Sequence, residues 1–99
     1  MVDYRLRIDS VFVALSDSTR RDILQRTLGT ALTVNQIAAD YDMSLAAVSK
    51  HLKVLEEAGL ITKRKNGRFV FISAVPGGLN EAHDYITQFE SAYIGGDEE

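Results

Sequence analysis

The spacing of apolar residues changes at Gly59, and that change constrains the fold of this 99-residue chain more than any other feature. Up to Gly59, apolar side chains recur in steps of three and four, as on helices with one buried face. Beyond it, Ile61 to Lys65 and Arg68 to Ala74 flank Asn66-Gly67, and Phe69-Val70-Phe71-Ile72 is aromatic and β-branched. Asn-Gly between two such runs marks a β-hairpin, because both residues tolerate a positive φ. The helical period then returns for one last segment. The chain is therefore mainly α with one hairpin, an α+β composition.

Caps and spacing place the individual helices. Ile8, Val11, Phe12 and Leu15 predict a first short helix. Ser16-Asp17-Ser18-Thr19 interrupts it and offers capping oxygens to a second, about Thr19 to Leu28, which turns Ile23 and Leu24 inward and stops at Gly29. Thr33 is a good N-cap for a third helix, about Val34 to Tyr41, with Val34, Ile37, Ala38 and Tyr41 inward. Asp42-Met43-Ser44 forms a tight turn. Ser44 then caps a fourth helix, about Leu45 to Ala58, which Gly59 closes. Pro76 marks a turn before a fifth helix, about Leu79 to Tyr93. There Leu79, Ala82, Ile86, Phe89 and Tyr93 step by three and four, the spacing of a coiled-coil seam. Gly95 to Glu99 read as a frayed tail. The order α-α-α-α-β-β-α is that of a winged helix-turn-helix with one helix added at each end. A single domain, 1–99, would hold the helix-turn-helix at about 33–58, the wing at about 61–74 and a dimerisation helix at about 79–93.

The net charge of −3 argues at first against a nucleic-acid partner, but the charges are sorted along the chain. Residues 44–73 hold Lys50, Lys53, Lys63, Arg64, Lys65 and Arg68 against only Glu56 and Glu57. Residues 74–99 hold no Lys or Arg and six acids: Glu81, Asp84, Glu90, Asp97, Glu98 and Glu99. A cationic island beside an anionic flank suits a polyanion-binding element.

On a helical wheel, Val48, Leu52 and Leu55 share the inward face of the fourth helix, while Ala46, Ser49, Lys50 and Lys53 share the outward one. Small residues and two amines fit a helix that enters the major groove, where short side chains let the backbone approach base edges. The candidate recognition-helix residues are Ser44, Ala46, Ala47, Ser49, Lys50, His51 and Lys53. His51 points sideways, toward a packing or phosphate role. The candidate wing residues are Lys63, Arg64, Lys65, Asn66, Gly67 and Arg68. Four cations on one hairpin repel each other and contribute nothing to folding, whereas a polyanion would give them a partner. The candidate dimer interface is Val11, Leu79, Ala82, Ile86, Phe89 and Tyr93.

Other classes find little support. With no cysteine, disulfides, thiolate metal sites and Cys nucleophiles are excluded. No paired carboxylates, Gly-rich phosphate loop or nucleophile with a base at recognisable spacing suggests an enzyme. The longest apolar run, Val11 to Leu15, is far too short to span a membrane, and the N-terminus does not read as a secretory signal. A cytoplasmic protein is the default expectation.

Three segments resemble the ArsR-type (arsenic-repressor-like) winged-helix regulators. They are Leu15-Ser16-Asp17-Ser18-Thr19-Arg20-Arg21-Asp22-Ile23-Leu24, the run from Val48-Ser49-Lys50-His51-Leu52 to Ala58-Gly59-Leu60, and the wing from Lys63 to Ile72. The resemblance covers roughly Val11 to Tyr93. It implies a homodimeric repressor that binds double-stranded DNA at an inverted repeat, with the first and last helices at the dimer interface. Many members sense metal through Cys-x-Cys on the third helix; the matching positions here are Thr33 and Asn35, and neither binds a soft metal. A second family site uses carboxylates and His on the last helix, of which Glu81 and His83 are faint counterparts, the other pair falling on Ile94 and Asp97. The segment Glu81 to Phe89 is more similar to members that do not sense metal, so no metal and no cofactor is expected. Arg20 and Arg21 would either tie the first helices together or touch the DNA backbone. The alternative function is a protein-interaction module whose basic wing docks an acidic partner.

Overall fold

A computed structural model describes residues 4–97, with side chains described for 7–90. The elements run α1 (Tyr4–Leu15), α2 (Ser18–Arg26), β1 (Leu32–Thr33), α3 (Val34–Tyr41), α4 (Leu45–Glu57), β2 (Ile61–Asn66), β3 (Phe69–Ala74) and α5 (Asn80–Asp97).

The helices start where side-chain oxygens can satisfy unpaired N–H groups. The Asp17 carboxylate accepts from the Arg20 backbone N–H at 3.0 Å, and the Ser44 hydroxyl accepts from that of Ala47 at 3.1 Å. Thr33 and Gln36 form a reciprocal capping box at α3, with bonds of 3.1 and 2.8 Å. Helices α3 and α4 also end alike. The Met43 N–H reaches back to the Ala38 carbonyl and that of Leu60 to the Leu55 carbonyl, each at 3.0 Å, across a left-handed residue. That residue is Gly59 after α4 and Asp42, with φ of 54°, after α3. Asp42 thus makes the turn without glycine, as Asp tolerates.

Ile23, Ile37, Leu52, Leu55, Leu60 and Ile72 are fully buried and draw α2, α3, α4 and the sheet around one core. α4 lies at its centre, touching α1, α2, α3 and β2. Truncating Leu52 or Leu55 to Ala would cost about 2–5 kcal/mol. Two ties hold α5 to α1: Arg7 makes a paired ion contact to Glu81 at 3.0 and 2.6 Å, and Phe12 meets Tyr85 edge-on at 6.0 Å.

Four features differ from the sequence reading. A third strand, β1, lies beside β3, pairing Leu32 with Ile72 and Thr33 with Phe71, so the hairpin belongs to an antiparallel sheet of order β1-β3-β2. At the hairpin tip Asn66 pairs with Phe69, which leaves Gly67-Arg68 as the loop. Gly67, with φ of 64°, then occupies the first loop position, where a type II′ turn needs glycine. α2 ends at Arg26 rather than Leu28, with Thr27 buried as its cap and its hydroxyl donating to the Ile23 and Leu24 carbonyls. α5 starts at Asn80 and runs to Asp97, carrying through Gly95 and Gly96.

Candidate nucleic-acid interface

α4 presents the two faces expected of it. Val48, Leu52 and Leu55 are buried, and Ala46, Ser49, Lys50 and Lys53 are exposed. Ser44 is exposed at the N-terminus, though its hydroxyl oxygen already serves as the cap; Ala47 is half-buried.

His51 turns away from that face. Its Nδ1 lies 3.3 Å from Arg20 Nη1 and 3.9 Å from an Asp17 carboxylate oxygen. Arg20 ties the first two helices together. Its Nε donates to the Ala14 carbonyl and its Nη2 to that of Val13, both at 2.9 Å. Arg21 donates to the Leu15 carbonyl at 2.8 Å. Both arginines therefore cap the C-terminal end of α1, where open carbonyls attract cations. The Arg20 backbone N–H, ahead of the nearby charges, holds the Asp17 carboxyl below the usual carboxylate range.

The wing cations are engaged more than simple repulsion suggests. Lys63 pairs with Glu56 of α4 at 3.1 Å. Arg64 lies over the Phe71 ring at 5.8 Å and Arg68 over Phe69 at 5.7 Å. Three of the four thus have partners within the chain, which corrects the view that they contribute nothing to folding. Lys65, Asn66 and Gly67 are exposed at the tip.

Between α4, the start of α3 and the wing lies an open groove of about 370 Å³, with Ser49, Lys63 and Arg68 on its walls. Leu45 and Phe69 line it too, both well exposed. The sequence reading passed over Leu45 because an apolar residue on an amphipathic helix reads as core by default.

The candidate dimer residues divide. Val11 and Ala82 are 5% and 4% exposed and belong to the chain's own core, so they have little surface left to offer a partner. Leu79, Ile86 and Phe89 are open, along with Val13 and Tyr85, which the heptad spacing did not single out. The side chain of Tyr93 lies outside the described residues. Among the described residues, no three His, Asp or Glu side chains cluster closely enough to hold a metal ion. Glu81 is taken up by Arg7, whose guanidinium keeps its carboxyl below the ordinary range. No helix among them is long and apolar enough to cross a membrane.

Comparison with known proteins agrees with this geometry. A helix-turn-helix domain family model matches residues 15–64. The chain is 32% identical over 82 residues to the transcriptional repressor SdpR of Bacillus subtilis, covering 83% of this chain and 91% of that protein. It is 37% identical over 81 residues to the HTH-type transcriptional regulator Rv2034 of Mycobacterium tuberculosis, covering 82% and 76%. The crystal structure of an ArsR family transcriptional regulator superposes with a TM-score of 0.84 at 28% identity, covering 95% of this chain and 97% of the other. Matches of that extent, over a fold whose outward helix and basic hairpin share one face, place the chain among the ArsR-type winged helix-turn-helix DNA-binding transcriptional regulators.

Proposed function

We propose that the chain is a homodimeric cytoplasmic repressor that binds an inverted-repeat operator in double-stranded DNA without a metal or other cofactor. One observation carries the reading: the exposed Ser49, Lys50 and Lys53 of a firmly buried helix stand beside a basic hairpin that shares a groove with that helix. α4 enters the major groove. Ala46, Ala47 and Ser49 allow close approach, Lys50 and Lys53 reach base edges or phosphates, and Ser44 meets the backbone at the helix start. His51 acts from the side. In the wing, Lys65 and the backbone of Asn66 and Gly67 follow the phosphates with Arg64 and Arg68, while Lys63 sets the wing against α4.

The dimer reading rests on shape as well as exposure. The chain measures 59 × 31 × 22 Å, and its radius of gyration of 16.0 Å exceeds the roughly 13 Å of a compact chain this long. α5 presents Tyr85, Ile86 and Phe89, with Leu79 just before it, to a second copy. The repressing direction is supported by the likeness to SdpR, which is itself a transcriptional repressor.

Selection from a random duplex pool, followed by footprinting, tests the proposal. An enriched inverted repeat, with affinity that falls steeply as salt rises, is the expected outcome. Feeble, sequence-blind association beside saturable binding to an acidic protein would favour the docking module instead.

A further inference from the structure

We propose that Leu45 reads the 5-methyl group of a thymine in each operator half-site, an inference that rests on the DNA-binding reading and adds a base identity to it. Leu45 is the first residue of α4 and is 53% exposed. Leaving a leucine in water gains nothing for the fold, and Val48, Leu52 and Leu55 already fill the inward face. Its position matters more than its exposure. Residues at the N-terminal end of a groove-entering helix are those that meet base edges. The major groove offers only one apolar feature, the thymine methyl, and aliphatic side chains recognise it by burying it.

The surroundings favour the same occupant. Leu45 stands one helical turn before Ser49 on the wall of the groove that α4 shares with the wing, and Phe69, 44% exposed, lines the same groove. Lys63 and Arg68 supply positive charge there. An apolar protein segment would leave Arg68 without a counter-charge, whereas a DNA strand brings phosphates to the cation and a methyl group to the leucine. Ala46, exposed beside Leu45, leaves room for the base to approach.

The test uses the full-length protein and an operator taken from the random pool. Each thymine is replaced in turn by deoxyuridine, which removes the methyl group and keeps every hydrogen-bonding atom. Burial of one methyl group predicts a loss of about four-fold at one position per half-site. L45A, at an exposed position, should fold normally and bind the thymine and uracil duplexes equally. Placing 5-methylcytosine at a cytosine that replaces the critical thymine should recover part of the loss for the wild type and none for L45A. A scan with no sensitive position, or an L45A variant that keeps the wild-type preference for thymine, would overturn the proposal and leave the DNA-binding reading standing. A pool that yields no preferred duplex would overturn both.

Discussion

Two faces of this molecule leave large apolar side chains in water, and their electrostatic settings are opposite. On the α4 and wing face, Leu45 and Phe69 line a groove with Lys63 and Arg68. On α5, Tyr85, Ile86 and Phe89 share a helix with Glu81, Asp84 and Glu90 and with no lysine or arginine. Exposure alone does not distinguish the faces; the charge around it does. A cationic surround excludes a second cationic face and invites phosphate, while an acidic one repels phosphate and leaves apolar contact as the basis for association. The difference teaches that a protein of net charge −3 can hold DNA when its charges are sorted, with the acids gathered away from the basic face.

The largest effect should come from breaking the acidic face. I86D combined with F89D is expected to dissociate the dimer in light scattering and to lower operator affinity by about 10²–10⁴-fold, because the second half-site is no longer tethered to the first. A wild-type chain that is monomeric at micromolar concentration would remove the basis for that comparison. Next comes the joint between the faces. R20A removes the bond to the Ala14 carbonyl and one of the bonds to Val13, whose carbonyl keeps Ser16, and is expected to cost about 1–3 kcal/mol in urea denaturation, more than R21A, which removes a single bond.

The cationic face should respond by kind of residue. R64A with K65A is expected to weaken all duplexes alike by about ten-fold and to flatten the salt dependence by roughly two phosphates. K50A should change which duplexes are preferred while altering mean affinity only a few-fold, seen by repeating the pool selection. Equal effects of the two changes on sequence preference would erase the division between positioning and reading.

The smallest effect is acid sensitivity. Asp17 and Glu81 have carboxyls lowered in the folded chain, by the Arg20 N–H and by Arg7 respectively. Their contribution to stability is therefore present above the unfolded carboxylate range, near pH 4, and is lost as pH falls through the lowered values. Thermal melts between pH 5 and 2.5 should show a shallower acid loss for E81Q than for the wild type.

Much of this was legible in the sequence, and the gaps have physical causes. The caps at Asp17, Thr33 and Ser44 and the glycine after α4 are local chemistry, so they could be read from neighbouring residues. β1 could not, because two residues carry no alternation and Thr33 already reads as a cap. The tip register shifted by one because Asn66-Gly67 and Gly67-Arg68 both supply a glycine to a two-residue loop. Val11 and Ala82 have the spacing of a seam, but spacing does not say whether the neighbour belongs to the same chain. Lys63 found Glu56 across a turn, a contact that no periodicity encodes.

Thr33 has a mechanical consequence. Its backbone is part of β1 and pairs with Phe71 of the wing, while its hydroxyl starts α3. Wing and helix-turn-helix therefore share a residue, and the wing cannot tilt without tugging on the first turn of α3. One backbone unit thus sets the spacing between helix and hairpin. A duplex whose groove widths did not match that spacing would have to bend to fit, and the stiffness of base pairs outside the contact would then weigh in the choice of site.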